Sequence, residues 1–227
     1  MGKFYPHSRP PRRFCVIFRI KFMDIIQEAR NLPDKEMKKI VSLYEKTLSI
    51  PKKKPKEQFL ICPIGLIGAG KTTVIKPLSK KLSLLRVSSD EIRKLLNERG
   101  FNDDRVKEVA ADIITKYLKK GFSIAIDADC VAKDSQEYIN KFVNQAKIKI
   151  FWIHINPPEK FIINKLKKHG PGWLLGGSNK AVKRYFNRKP LHKNLNLPFI
   201  YKFDPSRNNL NHQINKAISL IKKKVKI

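Results

Sequence analysis

Phe59-Leu60-Ile61-Cys62-Pro63-Ile64 followed by Gly65-Leu66-Ile67-Gly68-Ala69-Gly70-Lys71-Thr72 is the stretch from which the rest of the chain is read. The first part is an apolar run of strand length. The second fits G-x-x-x-x-G-K-T, a loop in which glycines let successive backbone N–H groups curl around phosphate. Thr73-Val74-Ile75-Lys76 and the residues after them can continue as a helix, whose N-terminus adds partial positive charge. A Gly-rich turn with no ligand would not need Lys and Thr directly after its last glycine. The expectation is that Gly65, Gly68, Ala69, Gly70, Lys71, Thr72 and Thr73 bind a nucleoside triphosphate, ATP, with Mg²⁺. Lys71 would reach the β- and γ-phosphates, and the Thr72 hydroxyl would hold the metal.

Beyond this stretch, strand-like and helix-like segments alternate. Leu84–Val87, Phe122–Asp127, Ile148–Ile155 and Phe199–Phe203 read as further strands. Helices are expected over about 72–83, Glu91–Glu98, Arg105–Lys119 and Pro157–Lys168, with a last one from Leu210 to Val225. This alternation implies the α/β fold class, with a doubly wound, mostly parallel five-stranded sheet. In such a sheet, ligands bind beyond the carboxyl ends of the strands. Residues just after each strand should therefore meet along one edge.

Before the strand at Phe59, Met23–Leu48 has helical spacing and is split by Pro33 into two expected helices. Residues 49–58, with Pro51, Pro55 and four lysines, read as a linker. Residues 1–22 carry no acid and no cleavage-site pattern; they are expected to be disordered or to reflect a misassigned start. The organisation is thus 1–22, a helical extension and linker over 23–57, and a phosphate-binding domain over 58–227 with a lid at about 169–190.

The formal net charge of +30 is unevenly spread. Residues 58–140 hold 14 basic and 11 acidic side chains, whereas residues 141–227 hold 20 basic and two acidic, Glu159 and Asp204. A polyanion, most simply nucleic acid, would explain the second half; a solvated basic surface is the plainer alternative. Cys15, Cys62 and Cys130 are too few and too far apart for a disulfide framework or a zinc site, which suggests a reducing cytoplasm. No apolar run approaches membrane-spanning length.

Asp90 and Arg93, in Ser88-Ser89-Asp90-Glu91-Ile92-Arg93, lie three apart at a helix start and so share a face. Near the γ-phosphate, Asp90 could take a proton from an attacking hydroxyl; alternatively it caps the helix. Asp127, at a strand end, could hold Mg²⁺ through water, pair with Arg93, or serve as a turn residue. Asp129 could simply turn the chain. The expected helix over 157–168 carries lysines only, which supply point charge but not a bidentate fork; Arg184 and Arg188 follow further along. Tyr185 and Phe186 could stack on bases or anchor the core. The lone His154 and His169 could be catalytic, but isolated histidines read first as structural.

Taken together, Gly65 to Thr73, Ser89-Asp90-Glu91-Ile92-Arg93 and Gly121-Phe122-Ser123-Ile124-Ala125-Ile126-Asp127-Ala128-Asp129 resemble the P-loop kinases grouped around polynucleotide 5′-kinases and zeta-toxin-like phosphotransferases. The resemblance runs from about Phe59 to Phe203. It implies that Asp90 is the general base, that Arg93 grips the acceptor phosphate, that Asp127 supports Arg93, and that lid arginines embrace the transferring phosphate, a task left here to Arg184 and Arg188. The implied activity is transfer of the ATP γ-phosphate to a hydroxyl, with a nucleic-acid 5′-hydroxyl expected from the charge. A zeta-toxin-like kinase of a small metabolite and a nucleic-acid-binding NTPase switch are the alternatives.

Overall fold

A computed structural model describes residues 30–133, 135–137, 139–140, 148–169 and 176–225. The helix expected before Arg30, the residues before Met23 and the glycine-rich part of the lid at 170–175 lie outside these residues, apart from its end at Gly176-Gly177.

The elements obey the alternation of the sequence. Helix α1 (Asp34–Thr47) precedes strand β1 (Phe59–Ile64), helix α2 (Lys71–Lys81) and strand β2 (Leu85–Ser88). Helices α3 (Ser89–Glu98) and α4 (Val106–Lys119) lead to strand β3 (Ile124–Asp127). Strand β4 (Lys149–Ile155), helices α5 (Glu159–His169) and α6 (Ser178–Arg188), a 3-10 turn (Lys189–His192), strand β5 (Phe199–Phe203) and helix α7 (Leu210–Lys222) complete the order. The five strands form one sheet in the order β2-β3-β1-β4-β5, with every pairing parallel. All strands therefore end on the same edge, where the loops gather.

Alternation of side chains along each strand divides the core into two layers. Leu60, Cys62 and Ile64 of β1 face one layer with α1, α3 and α4; Phe59 and Ile61 face the other with α2, α5, α6 and α7. Helix α1 belongs to the first layer, burying Met37, Ile40 and Tyr44. The Tyr44 hydroxyl accepts from the Ser88 N–H at 2.8 Å and donates to the Ser88 carbonyl at 3.4 Å. This joins α1 to the end of β2. The 23–32 half of the expected helix pair is not helical where it is described: Arg30 forms an isolated bridge with Phe101. An extended segment there satisfies backbone groups of the α3–α4 connection, with Arg30 N–H donating to Gly100 and Asn102 N–H to Arg30.

Pro63 lies in the central strand, an unusual place for a residue with no N–H. The odd-numbered peptides of β1 face β3: the Phe59 N–H donates to Ser123 Oγ and the Pro63 carbonyl accepts from the Cys130 N–H at 3.0 Å. The β1–β3 ladder ends at Ile61 and Ala125, whereas β2 and β3 stay paired to Ser88 and Asp127. The missing donor thus falls where β3 has already left β1.

Candidate active site

The loop after β1 is built by backbone geometry first. Gly68 and Gly70 have φ of 79° and 95°, the left-handed region that favours glycine. Gly65 is required for a different reason: a Cβ there would stand 2.8 Å from the Ile155 carbonyl at the end of β4. The loop then enters α2, with Gly70 as its N-cap.

Lys71 and Thr72 open that helix. The Lys71 ammonium donates to the Gly65 and Leu66 carbonyls at 2.8 and 3.1 Å. Burial pulls its pKa down, against the opposing pull of Asp129, Asp90 and Asp127. The Thr72 hydroxyl donates to Asp127 Oδ1 at 3.1 Å. Thr73 is exposed on the first turn.

Asp127, 4% exposed, ends β3. Arg93 is its expected partner, but the guanidinium that holds it is Arg86 of β2. Arg86 directs Nε and Nη2 at Oδ2, each at 2.8 Å, and Nη1 at Glu91 Oε1 at 2.8 Å. Arg86 wins because β2 and β3 are in register and its side chain lies on the α2 side of the sheet, as Asp127 does. Burial pushes the Asp127 carboxyl up despite Arg86 and Thr72. Burial would lower Arg86, but Glu91 and Asp127 together raise it above its usual value. Arg93 instead bonds Asp90 Oδ1 at 2.8 Å and Asp103 Oδ2 at 3.2 Å. Asp90 does not cap α3; the Ser88 hydroxyl does, accepting from the Glu91 N–H. Asp90 is half exposed and its charge acts on both Lys71 and Asp127.

Asp129 does more than turn the chain. Its Oδ1 accepts from the Gly65 N–H at 3.3 Å, and its Oδ2 lies 3.0 Å from His192 Nε2 and 3.6 Å from Arg188. Burial would raise its pKa, but His192 and Lys71 outweigh it and hold the carboxyl below the usual range. Arg188 is thereby brought to the phosphate loop from α6. Arg184, on the same helix, is exposed. Lys165 of α5 also reaches the loop, its Nζ 3.9 Å from where a Cβ on Gly70 would sit. Tyr185 is a core anchor, 2% exposed and donating to Glu159, whereas Phe186 is 49% exposed. His154 stacks on Phe199 at 4.9 Å and its pKa is lowered by burial and Lys202, a structural placement.

Sequence reasoning misses Arg86, His192 and Lys165. Arg86 carries a signal: a charged residue within a short apolar strand needs a buried counter-charge. His192 and Lys165 carry none, because their roles arise from how α5 and the 3-10 turn pack.

The residues fit a nucleoside triphosphate with Mg²⁺. Left-handed glycines shape the loop, a lysine stands at its mouth, and a hydroxyl–carboxylate pair offers the oxygen donors that Mg²⁺ prefers. Among the described residues no helix is long and apolar enough to cross a membrane.

The family model described as AAA domain matches residues 60–170. A search of the curated proteins finds no match. Among solved structures, the APS kinase CysC of Mycobacterium tuberculosis in complex with AMPPNP and APS is similar with a TM-score of 0.54 at 18% identity, over 74% of this chain and 99% of its own. The PezAT toxin-antitoxin structure of Streptococcus pneumoniae has a TM-score of 0.54 at 14% identity, over 85% of this chain and 99% of its own. A gluconokinase from Sinorhizobium meliloti 1021 has a TM-score of 0.50 at 12% identity, over 76% and 95%. With its parallel β2-β3-β1-β4-β5 sheet and an AAA-domain match across the phosphate loop, the chain has the fold of the P-loop kinases.

Proposed function

We propose that this protein is an ATP-dependent kinase that transfers the γ-phosphate to the 5′-hydroxyl of a nucleic acid. The observation that carries the transfer is the Asp90–Arg93 pair at the start of α3, close enough to Lys71 and Asp127 for its charge to act on both. Bound ATP–Mg²⁺ supplies the phosphoryl group and neutralises charge on its oxygens. The chain supplies the rest. The N–H groups of Gly65 to Gly70 orient the phosphates. Lys71 moves from the Gly65 and Leu66 carbonyls onto a phosphate. Thr72 and Asp127 hold the metal, and Asp90 takes the acceptor proton at its carboxylate. Arg93 aims Asp90 and grips the acceptor phosphate. Arg188, Arg184 and Lys165 bring positive charge to the transferring group.

The charge of residues 141–227 supports a nucleic-acid acceptor. A second reading, a small hydroxylated metabolite as acceptor, has its own support in the similarity to an APS kinase and a gluconokinase. A cytoplasmic setting suits either. The test is an acceptor screen with γ-labelled ATP. Label on a 5′-hydroxyl oligonucleotide supports the first reading and label on a metabolite alone the second. Label released only to water sinks both and leaves an NTPase switch.

A further inference from the structure

Outside the phosphate loop, a cavity of about 720 Å³ opens beside edge strand β2. Its walls come from the segment after α1, the end of α2, β2 and the start of α3. Lys52, Lys53, Lys80 and Arg86 line it, with Glu91 as its one carboxylate. Glu91 is already committed to Arg86. Among the described residues Lys52, Lys53 and Lys80 have no carboxylate partner, so three exposed lysines line one shared space.

The linker is fixed there. Lys54 donates to the Lys120 carbonyl at 2.7 Å and lies 4.6 Å over the Phe122 ring. Glu57 is paired with Lys149 at 2.9 Å. Lys52 and Lys53 therefore sit on a backbone held between α1 and the Lys54 anchor. Leu48, Pro51 and Leu84 add an apolar wall. An anion alone would not use that wall, whereas a nucleotide unit would, with its base on the apolar side and its phosphate on the lysines. The volume suits a ligand of that size. Glu91 at the lining is also the sequence neighbour of Asp90, so the cavity reaches the start of α3, where the proposed base stands.

We propose that this cavity is a subsite for the phosphodiester backbone of a single-stranded nucleic acid, and that Lys52, Lys53 and Lys80 neutralise its phosphates. The inference rests on the kinase reading for the role of the neighbouring base, but binding at the subsite does not require transfer.

The test uses the full chain without ATP and a fluorescein-labelled oligonucleotide already carrying a 5′-phosphate, which cannot act as acceptor. Anisotropy titrations over a salt series compare wild type with the Lys52→Gln/Lys53→Gln/Lys80→Gln variant and the matching Lys→Arg variant. The Gln variant should bind at least about 10-fold more weakly, with a salt slope shallower by about two, since each lost single-strand phosphate contact removes about 0.7. The Arg variant should bind like wild type. Unchanged affinity and slope in the Gln variant would overturn the proposal. So would loss of affinity for free nucleoside monophosphate with oligonucleotide binding intact. If the Gln variant weakens binding while no 5′-hydroxyl oligonucleotide is ever phosphorylated, the subsite stands and the kinase reading alone falls.

Discussion

Arg86 grips a single oxygen of Asp127. Both Nε and Nη2 lie 2.8 Å from Oδ2, which leaves Oδ1 to the Thr72 hydroxyl at 3.1 Å. The carboxylate is thus divided between the Arg86 guanidinium on one side and the first turn of α2 on the other. Such an arrangement fixes which oxygen a Mg²⁺ ion would meet.

Replacing Arg86 with Gln should leave Asp127 buried without its counter-charge. Removing one partner of a buried pair costs roughly 3–5 kcal/mol, so the melting temperature should fall. The Asp127 carboxyl, already raised, should rise further, moving the acid limb of the transfer rate to higher pH and raising the Mg²⁺ requirement. Arg86→Lys should restore part of each. A pH profile identical to wild type would reduce Arg86 to a structural residue.

Asp90→Asn should retain nucleotide binding and lose transfer by at least about 100-fold, the lower end for a general base. Isothermal titration with a nonhydrolysable ATP analogue reads the binding, and a labelled-transfer assay reads the chemistry. Unaltered transfer would remove Asp90 from the proposed mechanism.

Tyr44→Phe tests how firmly α1 is tied to the site. It removes the acceptor of the buried Ser88 N–H, and a buried donor left unsatisfied costs about 1–3 kcal/mol. Urea unfolding should report a loss of that size. Tyr44 itself does not titrate near neutrality, since burial raises it to about 12.

Asp129 bears on acid stability. Its folded pKa lies below its ordinary value of 3.8. The stabilisation it gives is therefore fully present above that value and is lost as pH falls through the folded pKa. In Asp129→Asn, urea midpoints should be lower at neutral pH and should fall less steeply on acidification below about pH 4. Parallel curves for the two proteins would rule out this contribution.

How much of the molecule is legible in the sequence depends on how local each feature is. Strand β1, the loop and strand β5 are read with their boundaries intact, because an apolar run bounded by Gly, Pro or Asn needs no tertiary information. The loop glycines are legible for the same reason. The Asp90–Arg93 contact is also local, set by helical spacing. Contacts made only by packing stay hidden: that Arg86 rather than Arg93 holds Asp127, and that His192 and Arg188 converge on Asp129. The helix expected just before Pro33 shows the opposite failure. Helical spacing of apolar residues carries through Leu32, but the extended pairing of Arg30 with Phe101 prevails where it is described.

Pro63 gives the sheet a seam. A central strand with an N–H at that position would present a further donor toward the end of β3. The proline withholds the donor, and Cys130 takes its carbonyl instead. At this position β1 and the segment after β3 are therefore joined by that backbone bond and not by a ladder pair, two residues before the phosphate loop begins at Gly65. An ordinary residue such as Val at this position would return the missing N–H and leave it to find an acceptor where β3 has already turned away.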